Sequence, residues 1–460
     1  MIHRLKRFPI IRRLSYFLKI RSFESQFNPV LNAAKCGALL IHAAVLRSVR
    51  PTASLLSLCR AHQVLMRSIP SKGLLGAWNR QIEASLRRAC APAGLVDQSE
   101  KIVRAVPQIG SARLVNSAIV LKAPRDRNGL QVERGVLLLK NTSWCETYHR
   151  AADFRSLLQH YSVVVEPSWS GYADPKLLAL TQYRSDKILV TASYQGDFQL
   201  IQALQSNLVP IWMGASDWVH PEIFHPLPNV EREFDAVLNA RWHVVKRHHL
   251  LFDAMRKMAD PSYKLAIVAP HHDDEGDRAL LLDMIRIYGL SQQITIYENL
   301  DAAGVNEVLN RSKVNLLLSR QEGSNRAIFE GFFAGVPGLA FENHIGLSKM
   351  HFHPDTGRLI EESDLLENLL YFRSHWKDFN PRPWALANIA PVVTTAKLNT
   401  ILKEMALARG EEWSSDIVPK CNVPNIRYYP VHESGAALPT GEELLQRFPA
   451  TRSHARHHSQ

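Results

Sequence analysis

Residues 314–337 read VNLLLSRQEGSNRAIFEGFFAGVP and contain the clearest structural signal in this 460-residue sequence. The apolar run at its start predicts a buried strand, Gly323 marks a turn, and Ser324 or Asn325 can cap the helix that follows. The closing A-G-V-P ends that helix. Backbone N–H groups at the start of such a helix lie at the carboxyl edge of a parallel sheet, where they favour an anion such as a diphosphate.

Two glutamates bracket the turn, Glu322 in the loop and Glu330 in the second turn of the helix. A carboxylate suits sugar or ribose hydroxyls because each of its oxygens can accept O–H donors. A pair of glutamates eight positions apart is usually solvated, but its place between a strand and a helix favours a functional interpretation.

The rest of the chain beyond residue 113 alternates short β-rich runs with helical patterns. This alternation predicts βα units and parallel sheets, and hence the α/β class. The predicted strands are 117–121, 135–139, 162–165, 187–191, 208–212, 234–239, 264–269, 293–297, 314–319 and 337–341. Helices are predicted at 148–160, 176–183, 198–205, 247–259, 277–288, 301–312 and 325–334.

The same patterns predict four segments. A basic, mainly helical extension covers 1–110, and an N-terminal Rossmann-like domain covers 111–228. A C-terminal Rossmann-like domain covers 229–408, after a proline-rich connector. The polar segment 409–460 is predicted to be a mostly disordered tail.

The motifs resemble those of the retaining family-4 glycosyltransferases of the GT-B fold, the glycosyl transferases of group 1. Glu322 and Glu330 match the E-x7-E motif of that family, and "FDAVLNARWHVVKRHHLLFDAM" is similar to its first C-domain strand and helix. "TGRLI" at 356–360 resembles a further turn. The likeness covers roughly 210–405 well, 134–209 only in pattern, and 1–110 not at all.

The resemblance implies two doubly wound domains that face a cleft, an acceptor domain at 111–228 and a nucleotide-sugar domain at 229–408. It also implies transfer of a sugar from a nucleotide sugar, with retention, to a glycan or lipid-linked acceptor in polysaccharide biosynthesis. Glu322 would contact the transferring sugar and Glu330 the ribose. Cations and helix N–H groups would replace a metal at the leaving diphosphate, so no cofactor is expected. The donor-binding residues would be Arg241, Lys246, Gly323, Ser324 and Asn325.

A rival motif lies at 266–277, AIVAPHHDDEGD. Its P-H-x-D-D-E resembles that of zinc-dependent N-acetyl sugar deacetylases, and "HFHPD" at 351–355 could supply a further ligand. Against this interpretation, some 265 residues precede the motif, and the same segment fits the second strand of the glycosyltransferase domain. A protein that binds glycan or nucleotide sugar without turnover is the third alternative. Metal analysis and a turnover assay would separate the three.

The acceptor side is predicted from loops that follow the first-domain strands. His149 is a candidate base and Trp169 a candidate stacking surface for a sugar ring, although a tryptophan near a strand end is more often part of the core. In a retaining enzyme of this type, the leaving phosphate can accept the acceptor's proton, so no protein base is strictly required.

The basic charge is confined to the start of the chain. Residues 1–104 hold 18 Lys and Arg against four acids, a balance of +14, and the remaining 37 bases and 39 acids give −2. A chain-wide nucleic-acid surface is therefore not expected. Residues 2–21 alternate basic and apolar side chains, which predicts an amphipathic helix that contacts anionic lipid through 1–22 or docks on the protein itself.

Five widely spaced cysteines and no spanning helix predict a cytoplasmic protein, with peripheral attachment to the inner face of the membrane as an extension of that prediction. Because all candidate donor residues lie beyond residue 230, removal of the first 22 residues is expected to leave the donor site intact.

Overall fold

The computed structural model describes residues 9–68, 73–89, 118–140, 148, 152–167, 169–271, 277–423, 425–429 and 438–449. The chain divides into two compact units. Unit I consists of Met1–Asn28 and Val219–Ala390, and unit II consists of Pro29–Trp218 and Pro391–Gln460.

The described strands are β1 (Ala118–Lys122), β2 (Arg125–Arg127), β3 (Leu130–Glu133), β4 (Gly135–Lys140), β5 (Tyr161–Glu166), β6 (Ile188–Ala192), β7 (Leu208–Trp212), β8 (Ala236–Asn239), β9 (Leu265–Ala269), β10 (Ile294–Glu298), β11 (Asn315–Leu317), β12 (Gly338–Phe341), β13 (Gly357–Ile360), β14 (Lys420–Val423) and β15 (Asn425–Tyr428). The described helices are α1 (Pro9–Glu24), α2 (Pro29–Leu46), α3 (Pro51–Met66), α4 (Gly73–Ala89), α5 (Phe154–His160), α6 (Pro175–Leu178), α7 (Gln195–Leu204), α8 (His248–Met258), α9 (Asp277–Ile287), α10 (Ala302–Asn310), α11 (Arg326–Phe333), α12 (Leu365–His375), α13 (Pro381–Asn388), α14 (Pro391–Ala408) and α15 (Gly441–Arg447).

All ten predicted strands are present, with ends within two residues of the prediction. The predicted α/β class with parallel sheets is confirmed. The prediction was possible because apolar runs of four to six residues between helical patterns are a sufficient signal. The β2–β3 hairpin was not predicted. Its turn residues Asn128 and Gly129 both have positive φ, as a two-residue hairpin loop requires, but its strands are too polar to show an alternating pattern.

Unit I is built on a six-stranded parallel sheet in the order β10-β9-β8-β11-β12-β13. The chain therefore builds outward from β8 to β10, crosses back to β11, and continues outward to β13. The strands β8 and β11 are parallel neighbours, but after β8 the chain continues toward one edge of the sheet and after β11 toward the other. At such a point the loops that follow the two strands leave a crevice at the carboxyl edge.

Unit II contains a five-stranded sheet in the order β1-β4-β5-β6-β7, in which β1 runs antiparallel to β4 and the other neighbours are parallel. Helices α2–α4 belong to its core, since Cys36, Leu55 and Ile82 are buried in one cluster with residues of the sheet. The N-terminal helices thus complete the apolar layer on one face of that sheet.

Two predicted segment boundaries are corrected. The extension 1–110 is not one body, because α1 belongs to unit I and α2–α4 to unit II. The segment 409–460 is not mostly a disordered tail over its described part, because it forms β14, β15 and α15. Lys420, Leu444 and Phe448 are buried in unit II. Because these buried residues are widely spaced in a polar stretch, no hydrophobic period reveals them in the sequence. Residues 450–460 lie outside the described part.

The amphipathic helix predicted at the N-terminus is present as α1, and it docks on unit I. Tyr16 and Phe23 are buried there, whereas Leu14, Phe17 and Leu18 are exposed on the opposite face. One face of α1 is therefore docked on the protein itself, as the second alternative predicted, and the opposite face is exposed.

The sequence predicts no spanning helix, but among the described helices α2 is long and apolar enough to cross a membrane by length and composition. Its Asn32, Cys36 and Ala43 are buried, and its Val30, Ile41 and Val45 are exposed. Lys35 and His42 interrupt the apolar run, and Cys36 packs in the core of unit II, so length and composition alone make α2 a candidate span.

Candidate active site

The candidate site of unit I lies where the loops after β8 and β11 leave the sheet. Residues 240–247 connect β8 to α8, and residues 318–325 connect β11 to α11. Because β8 and β11 are parallel neighbours at the point where strand order reverses, both loops end at the same crevice. The predicted donor residues beyond position 230 all fall on these two loops or on α11.

Lys246 and Glu322 are brought together from the two loops. The Lys246 ammonium donates to Glu322 Oε1 at 2.5 Å, and the two side chains are 20% and 10% exposed. Glu322 also accepts from the Ser319 hydroxyl at 2.6 Å and from Asn325 Nδ2 at 2.8 Å. Burial alone would raise the pKa of Glu322, but the nearby Lys246 charge and these hydrogen bonds outweigh it and lower the pKa.

His344 is a part of this site that sequence reasoning did not find. Its Nδ1 accepts from the Leu347 amide at 3.2 Å, which places the ring proton on Nε2, 3.2 Å from Ser319 Oγ. Burial lowers the pKa of His344 to about 4, so the imidazole is neutral at pH 7. Its position after β12 was the available signal, because the carboxyl ends of parallel strands meet at one edge.

Helix α11 places the second glutamate. Asn325 caps the helix by accepting from the Ile328 amide at 3.0 Å, and Glu330 is buried in the second turn. Arg326 donates to Glu330 Oε1 at 2.6 Å, and Asn239 Nδ2, at the end of β8, lies 3.4 Å from Oε2. A carboxylate oriented between β8 and α11 can accept hydroxyl donors from a ligand in the crevice.

The remaining predicted site residues are distributed as follows. Gly323 and Ser324 are half-buried on the turn before α11, and Arg241 is exposed on the loop after β8, where its carbonyl accepts from the His243 amide at 2.8 Å. Trp169 belongs to unit II and is exposed on the turn after β5. His149 lies outside the described residues.

The rival metal motif is described only in part, because residues 272–276 lie outside the described part of the chain. His271 is exposed and its Nδ1 lies 3.0 Å from Glu298 Oε2. His351 of the second segment is buried against the Phe329 ring. In the part of the chain that the structure describes, no group of three His, Cys, Asp or Glu residues could hold a metal ion.

Comparison with known proteins identifies the domain. Residues 220–370 match the family model described as glycosyl transferases group 1. None of the curated proteins compared matches the sequence.

Solved structures of low identity are similar to the chain. Sucrose-phosphate synthase from Thermosynechococcus elongatus is 14% identical over 59% of this chain and 74% of its own, with a TM-score of 0.47. HepE of Anabaena in complex with UDP is 14% identical over 70% and 89%, with a TM-score of 0.48. The pneumococcal O-GlcNAc transferase GtfA in complex with UDP and GlcNAc is 11% identical over 62% and 69%, with a TM-score of 0.42.

The family match spans all six strands of unit I, both loops of the crevice and helix α11. It therefore includes every residue of the ion pair and of the two-glutamate motif described above. The enzyme class predicted from the sequence is confirmed by this match. The chain is a glycosyltransferase, and its residues 220–370 match the model of the glycosyl transferases of group 1.

Proposed function

We propose that unit I binds the diphosphate of a nucleotide-sugar donor at the β8–β11 crevice and that the enzyme transfers the sugar with retention of configuration. The observation that supports this proposal most directly is the Lys246–Glu322 pair, in which a cation and an anion from two loops meet at 2.5 Å at the point where strand order reverses. Such a point is where open α/β sheets bind nucleotides.

The cationic side of the crevice suits the diphosphate. Lys246 has three N–H donors, and its contact with Glu322 uses one of them. The first amides of α11 cannot bond within the helix, so they favour an anion at its N-terminus. Arg241, exposed on the same loop as Lys246, adds a second cation. Negative charge builds on the diphosphate as the glycosidic bond breaks, and fixed cations stabilise it most at that moment.

The two glutamates suit the neutral parts of the donor. Glu322 is ionised, and donors from Lys246, Ser319 and Asn325 fix its orientation, which leaves lone pairs for a sugar hydroxyl. Glu330 is held between Arg326 and Asn239, and we assign it to the ribose. In this assignment the departing phosphate accepts the proton of the attacking hydroxyl, so the protein supplies positioning and charge rather than a base.

The acceptor is proposed to be a glycan or a lipid-linked sugar, with Trp169 of unit II as a candidate stacking surface. The exposed Leu14, Phe17 and Leu18 on α1 lie one helical turn apart beside the exposed Arg21, which supports contact with anionic lipid. Co-sedimentation with anionic vesicles tests this contact: Phe17→Ser with Leu18→Ser should reduce binding, and equal sedimentation of variant and wild type would contradict it.

The donor site is tested by calorimetric titration with a panel of nucleoside diphosphates, followed by turnover assays with the matching nucleotide sugars. Lys246→Ala should lower turnover by roughly 10²- to 10³-fold, the scale for loss of one transition-state-stabilising group. Glu322→Ala and Glu330→Ala should abolish transfer.

Matched controls are available on exposed helical surface of the same unit. Lys257→Ala and Glu367→Ala remove an exposed charge of each sign away from the crevice and should retain wild-type turnover. Diphosphate binding without turnover of any nucleotide sugar would favour the non-catalytic alternative. Unchanged turnover in Lys246→Ala or Glu322→Ala would remove the assignment of the site.

A further inference from the structure

Helix α1 packs against the back of the loop that carries Lys246. It contacts the short Val244–Lys246 turn and helix α9 directly, with Tyr16 and Phe23 buried in unit I. Lys19 Nζ donates to Asp277 Oδ1 at 2.8 Å, and the other oxygen of the same buried carboxylate accepts from the Val244 amide at 3.0 Å. One carboxylate therefore joins α1 to the backbone two residues before Lys246.

The last residue of α1 makes the second connection, to the residue that follows Lys246. Glu24 accepts from Arg247 in a two-pronged contact, with Nε–Oε1 at 2.8 Å and Nη2–Oε2 at 3.2 Å. The Arg247 side chain is 2% exposed, so its charge is compensated within the protein rather than by water. Arg247 also has φ +56°, a left-handed conformation that a non-glycine residue keeps only where surrounding contacts impose it.

The same network reaches the loop that carries Glu322. Arg247 Nη2 donates to Glu362 at 2.7 Å, and Arg320 Nε donates to the other oxygen of Glu362 at 2.5 Å. Arg320 lies 3.8 Å from Glu24, and its guanidinium stacks over the Phe27 ring. Hydrogen bonds from the two arginines overcome the effect of burial and lower the pKa of Glu362 to about 2, so this carboxylate stays ionised at pH 7.

We propose that Glu24 is a positioning residue for the donor site, acting through Arg247 and Arg320. These arginines flank the two site residues, one directly after Lys246 and one two positions before Glu322. The segment Pro9–Phe27 is then an N-terminal brace that fixes the distance between the two loops. This inference rests on the proposed function for its effect on donor binding, but the brace itself is independent of it.

The inference reverses one expectation from the sequence. The candidate donor residues do all lie beyond residue 230, yet two ion pairs and an apolar face connect them to residues before 28. Removal of the first 22 residues would delete Lys19 and most of α1, so the donor site is not expected to be independent of this segment.

The test compares Glu24→Gln, which removes the charge at nearly constant shape, with Glu367→Gln, which removes an exposed charge of the same sign on α12 of the same unit. Hydrogen exchange should become faster in residues 243–247 and 320–322 of Glu24→Gln only. The dissociation constant of the nucleoside diphosphate that wild type binds should rise about 10-fold, the scale for loss of a charge-assisted pair. Glu24→Asp, which keeps the charge, should have exchange rates and a dissociation constant between those of wild type and Glu24→Gln.

A purely structural role would lower the melting temperature but leave the dissociation constant of the folded variant unchanged, and that result would overturn the inference. If hydrogen exchange in both loops is the same in Glu24→Gln and in wild type, the segment does not act as a brace. If wild type binds no nucleoside diphosphate, the proposed function fails, and faster exchange in Glu24→Gln would still establish the brace. Lys19→Ala repeats the test through Asp277 if Glu24→Gln does not fold.

Discussion

Each unit holds a lysine–glutamate pair at the carboxyl end of a parallel strand, and the two pairs differ in access to solvent. In unit II, Lys420 of β14 donates to Glu166 at the end of β5 at 2.9 Å, and both side chains are 1% exposed. The Lys420 ammonium also lies 3.6 Å from the centre of the Trp218 ring. In unit I, Lys246 and Glu322 remain partly open to solvent.

The difference shows how similar residues at equivalent sheet edges take different roles. The strand β14 comes from the C-terminal segment of the chain, and its Lys420 meets Glu166 with both side chains buried, so the pair is sealed from solvent and from ligands. Burial lowers the pKa of Lys420, and the Glu166 charge partly offsets that effect. The unit I pair has neutral donors around its acid and an open side, which are the features of a binding site rather than of a core contact.

The largest expected effect tests the sealed pair. Lys420→Met leaves the Glu166 carboxylate buried without its cation and should reduce the free energy of unfolding by about 3–5 kcal/mol. Lys420→Met combined with Glu166→Leu should recover most of that loss, because no unpaired charge then remains. Urea unfolding followed by circular dichroism measures both. Equal stability of wild type and Lys420→Met would show that the sealed pair is not structural.

A smaller effect tests the open pair. Ser319→Ala removes one hydrogen bond to the ionised Glu322 and disconnects His344 from it, so the carboxylate loses part of its orientation. A hydrogen bond to a charged group contributes about 1.5–3 kcal/mol, so kcat/KM for the donor should fall roughly 10- to 100-fold.

The matched control for this variant is Ser363→Ala, an exposed serine whose hydroxyl contacts Asp364. It should leave kcat/KM unchanged. If Ser319→Ala retains full activity while unfolding at the same urea concentration, the neutral donors around Glu322 have no functional role.

A third effect concerns pH and accumulates over the acid range. Burial lowers the pKa of His248 to about 3 and of His344 to about 4, from 6.5. The unfolded chain binds protons at these residues below about pH 6.5, and the folded unit does not until pH approaches 4. The free energy of unfolding should therefore decrease as pH falls from 6.5 to 4, by roughly 1.4 kcal/mol per pH unit for each histidine.

Urea unfolding at pH 7, 5.5 and 4.5 measures this slope. His248→Phe can keep the ring stacked on Trp242 while removing the titrating group, so its stability should depend less on pH. An identical slope in wild type and His248→Phe would exclude His248 as a source of acid sensitivity.

The local patterns were sufficient for ten of the fifteen described strands, most of the helices and the position of the two-glutamate motif, but not for β2, β3, β13, β14 and β15. Apolar runs bounded by turn residues specify a buried parallel strand, and a loop followed by a capped helix specifies where an anion can bind, because both depend on residues close together in the chain. For the same reason Lys246 and Glu322 could be named without the structure, each from its own strand–loop–helix.

Contacts between distant residues were decided only by the tertiary structure. Glu24 pairs with Arg247 across 223 positions, Lys420 pairs with Glu166 across 254, and His344 reaches Ser319 from another strand. No sequence period encodes such pairs, since each forms only when packing of the sheet brings its members together. The sequence therefore determined the α/β class and the position of the two-glutamate motif, whereas the fold decided which charges are sealed, which stay open, and that the N-terminal helix belongs to unit I.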